Sequence, residues 1–183
     1  MPYTTAALAL NTKAPHFALL DVVSGKLYSL HDIVSKKATV IMFLCNHCPY
    51  VQHIMDDLVA FVKEYQEQGV NFAAISSNDV ENYPEDGPEE MKALALERGF
   101  TFPYLYDQTQ QTAHHYHAVC TPEFFVYDQD MRLAYHGQYD DSKPRKETPV
   151  TGQSLRDALH ALLAGKRPAG EQLPSIGCGI KWK

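Results

Sequence analysis

Ala38-Thr39-Val40-Ile41-Met42-Phe43-Leu44-Cys45-Asn46-His47-Cys48-Pro49 is an apolar run that ends on a Cys-x-x-Cys and a proline. The run is rich in β-branched and large apolar residues, as a central strand buried on both faces requires. Pro49 suits the first turn of a helix, where its missing N–H costs nothing. Val51, Ile54, Leu58, Phe61, Val62 and Tyr65 then recur at helical spacing until Gly69, a good C-terminal stop. Val70 to Ser76 is a second core strand. The motif therefore sits between a strand and a helix.

Outward from this unit, Lys26 to Leu30 alternates as a short half-buried strand. Asp79 to Pro88 is acidic and proline-bearing and reads as a surface loop. A helix follows from Pro88 to Gly99, with Glu89 and Glu90 at its favourable positive end. Phe102 to Tyr106 is a short extended segment, and Thr109 to His117 a brief helix. Phe124–Tyr127 and Leu133–His136 read as two antiparallel strands joined through residues 128–130. A last helix carries Leu155, Ala158, Leu159, Leu162 and Leu163 and stops at Gly165. Residues 166–183 show no periodicity and are expected to form an irregular tail. The order predicts one α/β domain over residues 1–183, with a mixed central sheet flanked by helices.

The chain has 183 residues and a net charge of −6, without the basic stripe of a nucleic-acid binder. Its start lacks the basic and apolar regions of a signal peptide, and no apolar run reaches membrane-spanning length. A cytoplasmic location is expected, with neither nucleic acid nor membrane as partner. In a reducing compartment, a close pair among the four cysteines is first a catalytic or metal-binding candidate.

At a strand-to-helix junction, two intervening residues let both sulfurs reach disulfide distance. The helix N-terminus stabilises a thiolate there. Cys45 is expected at the mouth as the nucleophile, with a pKa below the usual ~8.5. Cys48, one turn in, is expected to resolve the mixed disulfide. His47 either stabilises the thiolate and favours the reduced form or stands in solvent. The same Cys-x-x-Cys is half of many zinc sites, and His114, His115, His117 and His53 are further donors. They lack regular ligand spacing, so no metal is assigned. Cys120 and Cys178 read either as a second redox pair, the tail folding back, or as two buried free thiols. Glu123 either shuttles a proton for Cys48 or faces away from it.

Cys-x-x-Cys after a strand, together with Cys120-Thr121-Pro122 opening a later strand, resembles the thioredoxin fold. That resemblance implies that Pro122 is cis and packs on the thiols, and that the Thr121 backbone binds an extended substrate. Ala14-Pro15-His16-Phe17, Asp21, Gly25 and Leu30 are similar to the N-terminal extension of peroxiredoxins and TlpA/ResA-type proteins. With Thr121-Pro122-Glu123-Phe124-Phe125 and the tail Pro174 to Lys183, the chain resembles peroxiredoxin-like proteins of the AhpC/TSA superfamily.

One departure bears on activity. Laying Cys48 on the peroxidatic cysteine puts Ile41 where those enzymes carry proline and Cys45 where they carry Thr or Ser. Pro122 then replaces their arginine. The resemblance thus implies a thiol–disulfide oxidoreductase exchanging through a redox-active Cys45–Cys48 disulfide, with no other cofactor. Its partners would be protein or small-molecule thiols and disulfides, with an electron donor or acceptor still to be identified. The alternatives are a thiol peroxidase, with Cys48 peroxidatic and Cys45 resolving, and a non-catalytic thioredoxin-like binding module.

Overall fold

The computed structural model describes residues 2–6 and 8–183. Along the chain run β1 (Tyr3–Thr4), β2 (Ala18–Asp21), β3 (Leu27–Ser29), α1 (Leu30–Ile33), β4 (Ala38–Phe43), α2 (Pro49–Gln66) and β5 (Val70–Ser76). After a single 3-10 turn at Pro84–Asp86 come α3 (Pro88–Arg98), β6 (Tyr104–Tyr106), α4 (Gln111–Tyr116), β7 (Cys120–Thr121) and β8 (Glu123–Tyr127). The chain continues through β9 (Leu133–Gly137) and α5 (Gln153–Leu163) and reaches β10 (Ile176–Gly179) near its C-terminus.

Seven strands form one sheet in the order β3-β2-β6-β5-β4-β8-β9. β4 lies parallel to β5 and antiparallel to β8, and β5 lies parallel to β6. Every residue of β4 is buried, because apolar layers cover both faces. Val40 and Met42 pack with α2, α3 and α5, whereas Ile41 and Phe43 face α1 and α4. This is the expected thioredoxin-like fold with a mixed sheet. The Thr121–Pro122 peptide bond before β8 is cis, as the resemblance implied. Gly99 ends α3 at a φ of 66°, the left-handed conformation that makes glycine an efficient stop. Among the described residues no helix is long and apolar enough to cross a membrane.

Two segments differ from the sequence reading. The tail is not irregular throughout: β10 lies between β1 and β7 in a second, three-stranded sheet. Its Cys178 stands opposite Thr121 and its Gly179 opposite Cys120, both antiparallel. Beyond the strand, Lys181 N–H donates to Asn78 Oδ1 at 2.9 Å and its carbonyl accepts from Asp79 N–H at 2.7 Å. Trp182 stacks on His114 with centroids 4.2 Å apart. These pairings are all long-range, so no local periodicity announces them. The loop at 79–88 is likewise not simply a surface loop, since Asp79 and Asp86 are both buried.

Glycine is what lets the tail come this close. A Cβ on Gly177 would stand 2.0 Å from the Thr121 carbonyl oxygen, and one on Gly179 would stand 2.5 Å from the Tyr3 ring. Gly177→Ala is therefore expected to push β10 off the Thr121–Pro122 loop, at about 1–3 kcal/mol of stability. Denaturant unfolding checks the loss, and faster amide hydrogen exchange confined to residues 176–179 checks its location.

Candidate active site

The strand-to-helix unit delivers both motif cysteines into the interior. Cys45 is 1% exposed and Cys48 0%, so the expected placement of Cys45 at an open mouth is not what the fold produces. Leu44 N–H still pairs with the Ile75 carbonyl at 3.0 Å, which carries the sheet up to the motif and holds Cys45 at its edge. Cys48 is the N-cap of α2, directly before Pro49 in the first turn.

The surroundings push the two motif thiols in opposite directions. The Cys45 thiol is pushed well up, first by its hydrogen bond to Cys48, then by burial and the Asp86 charge. Cys48 is lowered to about 5, first by the hydrogen bond from Cys45. Burial opposes this, while the Cys178 thiol and the backbone N–H groups of Val51 and Cys178 reinforce it. The physical reason is position. Cys48 is the N-cap residue of α2, although its side chain makes no cap hydrogen bond, and Cys45 lies before the helix. Sequence spacing alone places both sulfurs near the helix start and does not say which is the cap.

Thr121 touches both sulfurs. Its Oγ1 lies 3.2 Å from Cys45 Sγ, and its carbonyl oxygen accepts from the Cys48 thiol at 3.3 Å. Pro122 follows through the cis bond and lines a groove with Tyr50, His53, Tyr139 and Ile176. The Thr121 backbone is not open to an extended substrate, because β10 is already paired to it. Cys178, on that strand, brings its Sγ to 2.7 Å from Cys48 Sγ.

All four cysteines are free thiols. The structure sets Cys178 beside Cys48, whereas Cys120 stands opposite Gly179 and is fully buried. Burial first, then the Glu123 charge, raises the Cys120 thiol far above its ordinary value. Glu123 is turned to the face of the sheet opposite α2, since it pairs in register with Phe43. It is not solvated. Its carboxylate meets His136 Nε2 at 2.6 Å and accepts from the N–H groups of Val119 and Cys120 at 2.9 and 3.2 Å. Glu123 thus braces the loop that leads into Pro122.

The sequence reading missed Asp86. This fully buried carboxylate accepts from Asn46 N–H at 2.7 Å, His47 N–H at 3.1 Å and Asn78 Nδ2 at 2.8 Å. His47 Nδ1 makes a further contact with it. His47 therefore does not stand free in solvent, and one of its ring nitrogens lies within 4.8 Å of Cys45 Sγ, the sulfur it was expected to serve. It is held by Asp86 and stacks on Tyr83, with centroids 5.4 Å apart. Possible ligand atoms of Cys45, His47 and Asp86 lie within 4.8 Å of one another. Both Asp86 oxygens are nevertheless engaged by N–H donors, which satisfies the carboxylate without a cation. His114 is occupied by Trp182 and does not join this group. A signal for Asp86 existed only in Asp86-Gly87-Pro88, where an acid precedes a helix start, and its neighbouring acids obscured it.

The chain is similar to two solved structures over nearly its whole length. One is an uncharacterized conserved protein from Geobacillus kaustophilus, with 51% identity and a TM-score of 0.98, covering 100% of this chain and 97% of that one. The other is a hypothetical protein from Sinorhizobium meliloti 1021, with 42% identity and a TM-score of 0.95, covering 98% of each chain. A thiol:disulfide interchange protein of the thioredoxin family from Chlorobium tepidum TLS shares the fold alone. Its identity is 19% and its TM-score 0.65, over 86% of this chain and 99% of that one. No curated protein matches. The sequence profile of the AhpC/TSA family matches residues 10–136, well over half the chain, around the same strand, Cys-x-x-Cys and cis-proline just described. The chain belongs to the AhpC/TSA family.

Proposed function

We propose that the protein is a thiol–disulfide oxidoreductase whose reactive thiolate is Cys48. The observation that carries this reading is the position of Cys48 at the N-terminus of α2, with the Cys178 sulfur 2.7 Å away and the Cys45 thiol hydrogen-bonded to it. A thiolate populated at neutral pH is the attacking species in disulfide exchange. In the reducing direction, a second thiol of the same chain gives up its proton and displaces one sulfur of a partner disulfide, and the departing thiolate takes up a proton. The Cys48 thiolate then attacks that chain sulfur and closes the internal disulfide, and the partner's other sulfur departs and takes up a proton. The partner gains two electrons and two protons. Cys45, hydrogen-bonded to Cys48, is one candidate for that second thiol.

Exchange is favoured over peroxide reduction because of the groups around Cys48. The charge is held by thiols and backbone N–H groups rather than by a guanidinium. The hydroxyl nearest the cysteines belongs to Thr121 and lies on Cys45. A peroxidase needs donors aimed at the leaving hydroxide. The partners that fit are disulfides and thiols, of small molecules or proteins. A dithiol of this kind works without another cofactor and suits a reducing cytoplasm.

Cys48→Ser is expected to abolish insulin reduction in the presence of dithiothreitol, and full retention of activity would refute Cys48 as the nucleophile. Thiolate ultraviolet absorbance in the wild type should rise through a transition near pH 5. The sign follows from charge: Cys48 is a neutral thiol below that pH and a thiolate above it. Exchange rates should fall along the same curve on acidification, and Cys48→Ser should remove the transition. Stopped-flow mixing with hydrogen peroxide should give a rate constant near that of an ordinary low-pKa thiol. A rate typical of dedicated peroxidases would put peroxide first.

A further inference from the structure

The reactive sulfur is sealed. Cys48 is 0% exposed and Cys45 is 1% exposed, so neither presents a surface to a partner. Cys178 is partly exposed, and its Sγ stands 2.7 Å from Cys48 Sγ. It sits on an extended strand paired antiparallel to Thr121, the residue before the cis-proline. The tail therefore occupies the edge that an extended substrate would take, with a sulfur poised against the nucleophile.

We propose that Cys178 is the redox partner of Cys48 and the sulfur through which outside thiols reach it, so that the C-terminal strand serves as a tethered substrate. This rests on the reading of Cys48 as the reactive thiolate. Oxidation by two electrons joins Cys48 Sγ to Cys178 Sγ. To reduce that bond, an outside thiolate attacks the sulfur of Cys178, the partly exposed residue of the pair, and the S–S electron pair leaves on Cys48. The lower-pKa sulfur is the better leaving group. The surroundings of Cys48 lower its pKa, whereas burial raises that of Cys178 to about 12. A second outside thiolate attacks the outer sulfur of the mixed disulfide. Cys178 departs and takes a proton from solvent. Two outside thiols have then become one disulfide, and the protein has gained the two electrons. Run in reverse, the same steps reduce an outside disulfide.

The tail is built to hold this geometry. Gly177 and Gly179 allow strand contact on both sides of Cys178, and Lys181 is hydrogen-bonded to Asn78 and Asp79 just beyond it. Cys45 lies on the Thr121 hydroxyl, hydrogen-bonded to Cys48 and less exposed than Cys178.

Peptide mapping of the full-length protein decides the partner. The protein is oxidised with oxidised glutathione, its free thiols are blocked with N-ethylmaleimide, and it is cut with trypsin. Cys45 and Cys48 fall together in residues 38–63. Cys178 falls in residues 167–181, because Pro168 protects the bond after Arg167. The expected product is a cross-link between these two peptides with Cys45 alkylated, and Cys45→Ser should still form it. Cys178→Ser should lose its consumption of oxidised glutathione, because the sulfur that outside reactants reach is gone, and consumption at the wild-type rate would overturn the proposal. A disulfide inside residues 38–63 with Cys178 alkylated would overturn this assignment and leave Cys48 as the reactive thiolate. Failure of every form to consume oxidised glutathione would overturn both.

Discussion

A buried carboxylate must be met by donors wherever it is placed, and in this protein that demand organises the active-site loop. Asp86 has no contact with water and takes its hydrogen bonds from Asn46, His47 and Asn78. Charge-assisted bonds of this kind are short and strong, and leaving any donor unmet inside the protein would be costly. The backbone of the residues between the two cysteines is thereby fixed from outside the motif. Asn78 then carries the same network to Lys181, through its Oδ1 and the Lys181 N–H. One buried charge thus sets the cysteine loop and the tail in a single frame.

Within that frame the two motif sulfurs compete for stabilising groups, and position decides the outcome. Cys48 is the N-cap residue of α2, while Cys45 faces the Asp86 charge and the Thr121 hydroxyl. The donor that most favours a thiolate on Cys48 is Cys45 itself. The pair is asymmetric because a negative group stands on one side and a helix terminus on the other.

The strand, helix and cis-proline around the site were legible because each leaves a local mark. Residues 38–44 are continuously apolar, α2 repeats at helical spacing after Pro49, and Thr121-Pro122 precedes an apolar run. The division of labour between Cys45 and Cys48 leaves none. It depends on where the helix cap falls and on Asp86, which is 40 positions from Asn46 and looks like one more surface acid. β10 was hidden for a related reason. Two of its four residues are glycines, which carry no side chain to pattern, and its partners lie at the N-terminus and at Cys120–Thr121. Those glycines are required by the close approach that the sequence could not reveal.

The placement of β10 also bears on which partners the site would favour. An extended peptide would need the Thr121 edge, but that edge is paired with a strand tethered to the same chain. A tethered competitor acts at a high effective concentration, so a free peptide must outbind it or displace it. The strand is short, yet it is backed by β1 on its far side and by Lys181 and Trp182 beyond its end. A small thiol faces no such contest. On the proposed route it needs only to reach Cys178, a partly exposed residue. The same pairing that occupies the Thr121 edge holds Cys178 beside Cys48, so under the proposed role of Cys178 a small thiol would compete with no strand, whereas an extended peptide would.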